Sequence, residues 1–350
     1  MNFYSLESAE TLAQFTPRVK AAENITTRHV ATVKDFKLYP AGDLAVSNIG
    51  DHMRISDKSI EDIARISDTP VDFFAGKCDS ELRATIFNYR LPKIKSDSDK
   101  VVVVLKSGIV IRIYESQLLP APRLPILDTL QNSIPSTIPP DDVRVIPYVW
   151  NGTFDLAVIA RCLTAEPVKD DIVAFGVSVA EDSNGAVQIQ GATFRLACSN
   201  GAMVRICQGN EHRLRRPLDT PNGHRDFLRK VRVFAQIAWE QWGENAEQLS
   251  RLPVIPIFSE RFNELRAMLR QAPFFLSAGI VQQVLRRMVN DAHSENREPS
   301  VYDLWNSLSW YGTHANNLSS RVRYFLRIGA GELTKHKSKT CSACRQLVIS

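Results

Sequence analysis

The sequence predicts an α+β protein with a small N-terminal helical subdomain, an antiparallel β-sheet core and a C-terminal helical bundle. Three observations lead to this prediction. A helical pattern over residues 56–91 precedes a β-hairpin, β-patterned segments occupy residues 143–197, and helical periodicity replaces them from Asp226 onward. Strands followed by a block of helices are typical of α+β folds, whereas regular strand–helix alternation would predict a parallel sheet.

Pattern and composition divide the chain into six segments. They are an irregular N-terminal segment (1–55), a helical subdomain with a β-hairpin (56–119), a proline-rich loop (120–142), an antiparallel β region with a basic segment (143–225), a helical region (226–331) and a basic tail (332–350).

Local signals support these boundaries. Ser56 is a good N-cap for the first predicted helix, and Gly108 marks the turn between two β-branched runs. Six prolines in residues 120–140 predict a loop without regular structure. The capping box that begins at Ser300 predicts a helix rich in tryptophan, and the glycines from Gly329 onward predict the end of the last helix.

Composition indicates a folded cytoplasmic protein with no membrane partner. The chain has 350 residues, of which 44% are hydrophobic and 23% are charged. It contains no apolar run long enough to span a bilayer and no N-terminal signal-peptide pattern. Its six cysteines are scattered, which favours reduced thiols over a disulfide framework.

Positive charge is concentrated in the second half of the chain. Residues 191–350 carry 23 Lys and Arg against 13 Asp and Glu, whereas residues 1–190 carry 20 against 25. The densest cluster is residues 195–232, with nine basic and three acidic side chains. Such asymmetry is typical of a polyanion-binding surface, although these cations could also form a solvated face or pair with the acidic half.

Within this segment Arg195, Asn200 and Gly201 form the strongest candidate binding site. A guanidinium offers a planar fork of donors for phosphate, an amide donates and accepts, and glycine permits close backbone approach. The alternative is that Asn-Gly simply turns the chain while Arg195 pairs with an internal carboxylate. The other cations expected on the nucleic-acid surface are Arg205, Arg213, Arg215, Arg216, Arg225 and Arg229.

Two motifs carry a family resemblance. One is the segment Phe194-Arg-Leu-Ala-Cys-Ser-Asn-Gly201, which follows Phe175-Gly-Val-Ser-Val, and the other is the helix from Tyr302 to His314. Together they resemble the phage- and plasmid-related proteins grouped as domain of unknown function 932. The resemblance covers residues 55–330 and rests on Arg195, Cys198, Ser199, Asn200, Gly201, Asn306 and His314. It implies a mobile-element context and no established activity, and the basic tail departs from the family pattern.

Aromatic residues alternate with basic ones in the last helices. Tyr324 lies between Arg323 and Arg327, and this mixture is typical of single-stranded nucleic-acid binding, where bases stack on rings and cations follow the backbone. The alternative is that the tryptophans belong to the core. The sequence therefore favours single-stranded DNA as the partner and leaves a homo-oligomer open.

The tail is the only candidate metal site. His336, Cys341 and Cys344 offer three zinc ligands where a structural site needs four, so a disordered basic tail is the favoured interpretation and no cofactor is expected. Phosphate-loop, dinucleotide-binding and hydrolase motifs are missing from the sequence. We therefore expect a nucleic-acid-binding protein rather than an enzyme, acting in DNA replication, recombination or strand annealing. The alternatives are a metal-dependent nuclease and a protein-interaction factor in defence or counter-defence.

Overall fold

The fold was analysed in a computed structural model. It describes residues 9–93, 100–115, 122–149, 154–181, 186–195, 202–206, 212–214, 221–271, 274–315, 318 and 320–334. Within these ranges, each helix is too short or too polar to cross a lipid bilayer.

The described residues form helices and antiparallel strands, which confirms the predicted α+β class. The helices are α1 (Leu12–Asn24), α2 (Asp57–Ile66), α3 (Val71–Gly76), α4 (Ser80–Arg90), α5 (Arg123–Gln131), α6 (Pro221–Glu240), α7 (Trp242–Arg251), α8 (Phe262–Arg270), α9 (Ala278–Ser294), α10 (Val301–His314) and α11 (Ser320–Thr334). The strands are β1 (Thr26–Thr32), β2 (Phe36–Leu38), β3 (Leu44–Val46), β4 (Gly50–Met53), β5 (Lys100–Lys106), β6 (Ile109–Glu115), β7 (Val143–Val149), β8 (Asp155–Val168), β9 (Asp171–Glu181), β10 (Val187–Arg195), β11 (Ala202–Ile206) and β12 (His212–Leu214).

A six-stranded antiparallel sheet organises the molecule. Its strands follow the order β11-β10-β9-β8-β7, with β12 paired to the first half of β10. Two smaller sheets, β1-β5-β6 and β2-β3-β4, belong to the N-terminal part. Most residues of β9 are buried, as expected for a central strand covered on both faces.

The C-terminal helices pack against one face of this sheet. Val177 of β9 shares a hydrophobic core with the inner face of α6, and Phe175 on the same face of β9 shares a second core with α9, α10 and α11. The helical region is therefore a layer on the sheet, and the end of β10 lies beneath it.

Several local predictions are confirmed. The hairpin β5–β6 turns through Ser107 and Gly108, which have φ angles of 50° and 77°, as a two-residue turn with left-handed residues requires. Ser56 caps α2, and Ser300 with Asp303 forms the capping box of α10.

Residues 9–55 of the N-terminal segment form regular elements, which corrects the prediction of an irregular segment over the part of 1–55 that the structure describes. Thr11 and Gln14 form a capping box for α1, and β1 pairs antiparallel with β5, placing Thr26 opposite Lys106. Because the partner of β1 is distant in sequence, its pairing left no local pattern to detect.

The proline-rich segment also contains a helix, α5, where a loop was predicted. Pro122 is the N-cap and Pro125 is the third helical residue. At those positions a backbone N–H has no partner within the helix, so proline removes no hydrogen bond there.

The last helix continues through the glycines that were expected to end it. A Cβ atom at Gly329 would lie 2.2 Å from the ring of Phe274, so this glycine allows α11 to pack closely against that ring. The helix continues to Thr334, and Leu333 in its last turn is only 1% exposed. The basic tail therefore begins after the helix, not at residue 332.

Candidate nucleic-acid interface

The basic segment 195–232 contains an arginine that points into the protein and arginines that face solvent. Arg195, the last residue of β10, points into the interface between the sheet and the helical layer. By contrast, Arg225, Arg229 and Arg232 of α6 are exposed to solvent. The described residues therefore do not form a single continuous surface that includes both Arg195 and α6.

Arg195 contacts one partner in the sheet and another in the helical layer. Its Nε donates to Oδ1 of Asp171 at 2.5 Å, and a terminal nitrogen of its guanidinium donates to the side-chain oxygen of Asn306 on α10. The Arg195 and Asp171 side chains are 15% and 5% exposed. The internal carboxylate pairing that the sequence left open is thus present, and the Arg195–Asn306 hydrogen bond joins the two motifs of the family resemblance.

Tyr302 completes this network. Its hydroxyl donates to Oδ2 of Asp171, so one buried carboxylate accepts from both an arginine and a tyrosine. Burial first, and the nearby Asp171 charge second, raise the pKa of Tyr302 far above its ordinary value. The tyrosine therefore acts here as a permanent hydrogen-bond donor. We call Asp171, Arg195, Tyr302 and Asn306 the interface network.

A second ion pair lies at the start of α10. Arg297 donates through two nitrogens to Asp303, whose side chain is 2% exposed and also accepts from Ser300. Burial would raise the pKa of Asp303, but the hydrogen bonds from Arg297 and Ser300 hold that pKa below its ordinary value. This carboxylate is ionised and serves to cap the helix.

Asp291 of α9 responds in the opposite direction. Burial raises the pKa of its carboxyl, the charge of Asp303 adds to this, and Arg287 at 3.4 Å compensates only in part. Together with the Arg195–Asp171 and Arg297–Asp303 pairs, the Arg287–Asp291 pair forms a partly buried charged cluster near the end of β10. Each cation there faces a carboxylate.

The outer face of α6 is the exposed basic surface. Arg225, Arg229 and Arg232 follow the spacing i, i+4, i+7, which places them within an arc of about 60° on one side of the helix. We call these three residues the basic row. Beside it, Asp226 accepts from Arg229 at 2.8 Å and from Lys230 at 2.6 Å.

The tryptophans mostly belong to the core, as the alternative interpretation held. Trp239 and Trp305 are 2% and 1% exposed. Trp310 is half-buried, with the Arg287 guanidinium 4.2 Å from its ring centroid and the ring of His314 stacked on it at 5.3 Å. The histidine of the second motif therefore packs against an aromatic ring, and its Nδ1 lies 3.1 Å from the Trp310 carbonyl oxygen.

The remaining predicted site residues have different placements. Arg323 and Arg327 are half-buried on α11, and the stem of Arg327 lies against Gly312 of α10. Arg205 lies on β11 opposite Ala192 of β10. Arg213 and Tyr324 lie in β12 and α11, but their side chains are outside what the structure describes, as are Asn200, Gly201, Arg215, Arg216, His336, Cys341 and Cys344.

Sequence reasoning missed Asp171 and Tyr302. The only available signal was polar residues inside otherwise apolar patterns, Asp171 at the start of a strand and Tyr302 inside a helix. Among the described residues, no group of three or more His, Cys, Asp or Glu side chains has an arrangement that could hold a metal ion.

Comparison of the chain with protein-family models, curated proteins and solved structures gives no significant match in any of the three. The fold itself defines the class: an α+β protein in which a helical layer covers one face of an antiparallel sheet.

Proposed function

We propose that this protein binds nucleic acid through the outer face of α6. The observation that carries the proposal is the basic row, because it places three arginines in line on a solvent-exposed helix face. Arginine is suited to phosphate because its planar guanidinium can donate two parallel hydrogen bonds. Contacts of this kind supply most of the sequence-independent affinity for nucleic acid.

The charge around the row supports the same partner. Residues 222–240 contain four basic side chains and two acidic ones, Asp226 and Glu240. The pKa of Asp226 is lowered by hydrogen bonds from Lys230 and Arg229, so it is ionised and offsets part of their charge. The local balance remains positive, and an exposed ion pair of this kind yields readily to a phosphate competitor.

The biological setting is proposed from the family resemblance. A phage- or plasmid-type element would use such a protein in the cytoplasm, in DNA replication, recombination or strand annealing. Binding without catalysis is the form we propose. The nuclease alternative is tested by including magnesium in the binding assay and looking for shortened substrate.

The decisive experiment is a salt titration of binding. The basic-row variant, in which all three arginines become alanine, is compared with the unmodified protein by fluorescence anisotropy on a labelled oligonucleotide between about 50 and 200 mM salt. Each lost phosphate contact flattens the slope of log affinity against log salt by about 0.7 for a single strand or 0.9 for a duplex. The expected flattening is therefore about 2–3 units.

A matched control separates local contact from overall charge. Arg251, Arg266 and Arg270 are also exposed on helices, and their replacement by alanine removes the same charge. We expect the control variant to keep a slope within about one unit of the unmodified protein. Equal slopes for the basic-row variant and the unmodified protein, with both folded, would refute the proposal.

A further inference from the structure

The packing of α6 against the sheet fixes the geometry of the basic row. The inner face of this 20-residue helix is buried against the sheet through Phe227, Val231, Ala235 and Trp239, which are 0–3% exposed. The helix therefore cannot easily rotate or bend. From the first to the last arginine the row spans about 10 Å at 1.5 Å per residue, in a straight line along the axis.

The chemistry of the outer face lacks what a single strand requires. Single-strand binding depends on aromatic rings on which bases stack. In residues 222–240, which the structure describes, the aromatic side chains are Phe227, Phe234 and Trp239, and all three pack into the core beneath the helix. The exposed neighbours in line with the row are Asn222, Gln236 and, at the C-terminal end of the helix, Glu240. The amides of Asn222 and Gln236 donate hydrogen bonds to phosphate oxygens, whereas the carboxylate of Glu240 repels phosphate and marks the end of this line.

Elsewhere in the helical layer, the described tryptophans are also engaged, whereas the exposed rings, Phe258 at 54% and Phe275 at 60%, lie outside α6. Trp305 is buried, Trp310 packs against Arg287 and His314, and Trp242 packs against Phe175 at a centroid distance of 6.3 Å. A rigid line of cations and amides is complementary to a rigid line of phosphates, since neither partner loses much conformational freedom on binding.

We propose that the outer face of α6 is a docking site for the phosphate backbone of double-stranded nucleic acid. Asn222, the basic row and Gln236 form one line of donors that covers about 21 Å along the helix axis. This inference rests on the proposed function and specifies its substrate class. In this proposal, affinity comes from contacts with the phosphate backbone and not from stacking of bases on aromatic rings.

The test compares one duplex with its own separated strand. Binding of the unmodified protein, the basic-row variant and the control variant is measured on both forms at about 0.15 M salt. At that concentration, counterion release makes each duplex contact worth about fivefold in affinity, so three contacts are worth about a hundredfold. We expect the basic-row variant to lose about a hundredfold on the duplex and less than about tenfold on the single strand, because a flexible strand is not held in line with all three arginines and each single-strand contact is worth about fourfold.

Two contrary outcomes are distinguishable. If the basic-row variant loses as much affinity for the single strand as for the duplex, or more, the duplex assignment is wrong while nucleic-acid binding by α6 stands. If the unmodified protein binds neither form, or the variant binds both forms as well as the unmodified protein, the proposed function itself fails. Replacement of the same arginines by glutamine, which keeps the helix hydrophilic, provides a second variant should the alanine form fold poorly.

Discussion

Replacing Arg195 by methionine tests whether this residue is structural or ligand-binding. Methionine keeps most of the apolar stem and removes the guanidinium, which leaves Asp171 buried with the hydroxyl of Tyr302 as its remaining donor among the described side chains. The side chains of the pair are 15% and 5% exposed, so solvent cannot restore the lost interaction. Removal of one partner of such a buried pair costs about 3–5 kcal/mol of unfolding free energy.

The comparison that isolates the pair is a double variant. Changing Asp171 to leucine together with Arg195→Met removes the stranded charge, while the hydroxyl of Tyr302 and the side-chain oxygen of Asn306 lose the hydrogen bonds described above. We expect the double variant to recover part of the loss, with a residual cost of about 2 kcal/mol. A matched exposed arginine, Arg229, is 70% exposed in its ion pair with Asp226, and its change to methionine should leave the unfolding midpoint nearly unchanged.

The assay is urea unfolding followed by tryptophan fluorescence and by far-UV circular dichroism. Equal m-values for the variants would show that the same transition is being compared. If Arg195→Met costs less than about 1 kcal/mol, the buried-pair interpretation is wrong, and Arg195 would return to the list of ligand-binding residues.

Three further predictions follow from features of the helical layer. Burial raises the pKa of Asp291, so the protonated carboxyl is favoured in the folded state. Its contribution to stability is complete below the ordinary pKa of about 4 and is lost as pH rises through the raised pKa of the folded state. Asp291→Asn should therefore raise the melting temperature at pH 7, with the difference shrinking towards pH 4. Gly329→Ala should lower the melting temperature clearly, whereas Gly243→Ala, where a Cβ meets nothing within 4 Å, should leave it equal or higher; equal effects would contradict the packing argument. Deletion of residues 335–350 should leave the melting temperature unchanged and deletion of 332–350 should lower it, since only the longer deletion removes a buried leucine, Leu333. Zinc bound at one per chain, together with a loss of stability on chelation, would contradict the expectation for the shorter deletion.

The sequence predicted those elements whose signals are local. The turn at Ser107 and Gly108 and the capping box at Ser300 are each set by a few adjacent residues, and both are present in the structure. The strand β1 was missed because its partner, β5, is far along the chain. The helix α5 was missed because proline is tolerated in a first turn, where the backbone N–H groups have no partners within the helix.

The candidate site was predicted in composition but not in arrangement. Charge counting located the basic segment, but it could not distinguish Arg195, which faces inward, from Arg225, which faces solvent. That distinction depends on contacts between residues far apart in sequence, such as the Tyr302–Asp171 hydrogen bond, which spans 131 positions. Separations of this size carry no periodicity that a single sequence could show.

The interface network has a consequence for recognising distant relatives of this chain. Its members are 24 positions apart for Asp171 and Arg195 and 111 apart for Arg195 and Asn306, yet the loss of any one leaves a buried polar group without its partner. Selection should therefore keep or replace them as a set while the exposed surface diverges freely. Four polar residues in this order and spacing would be a signature that persists after overall similarity has disappeared.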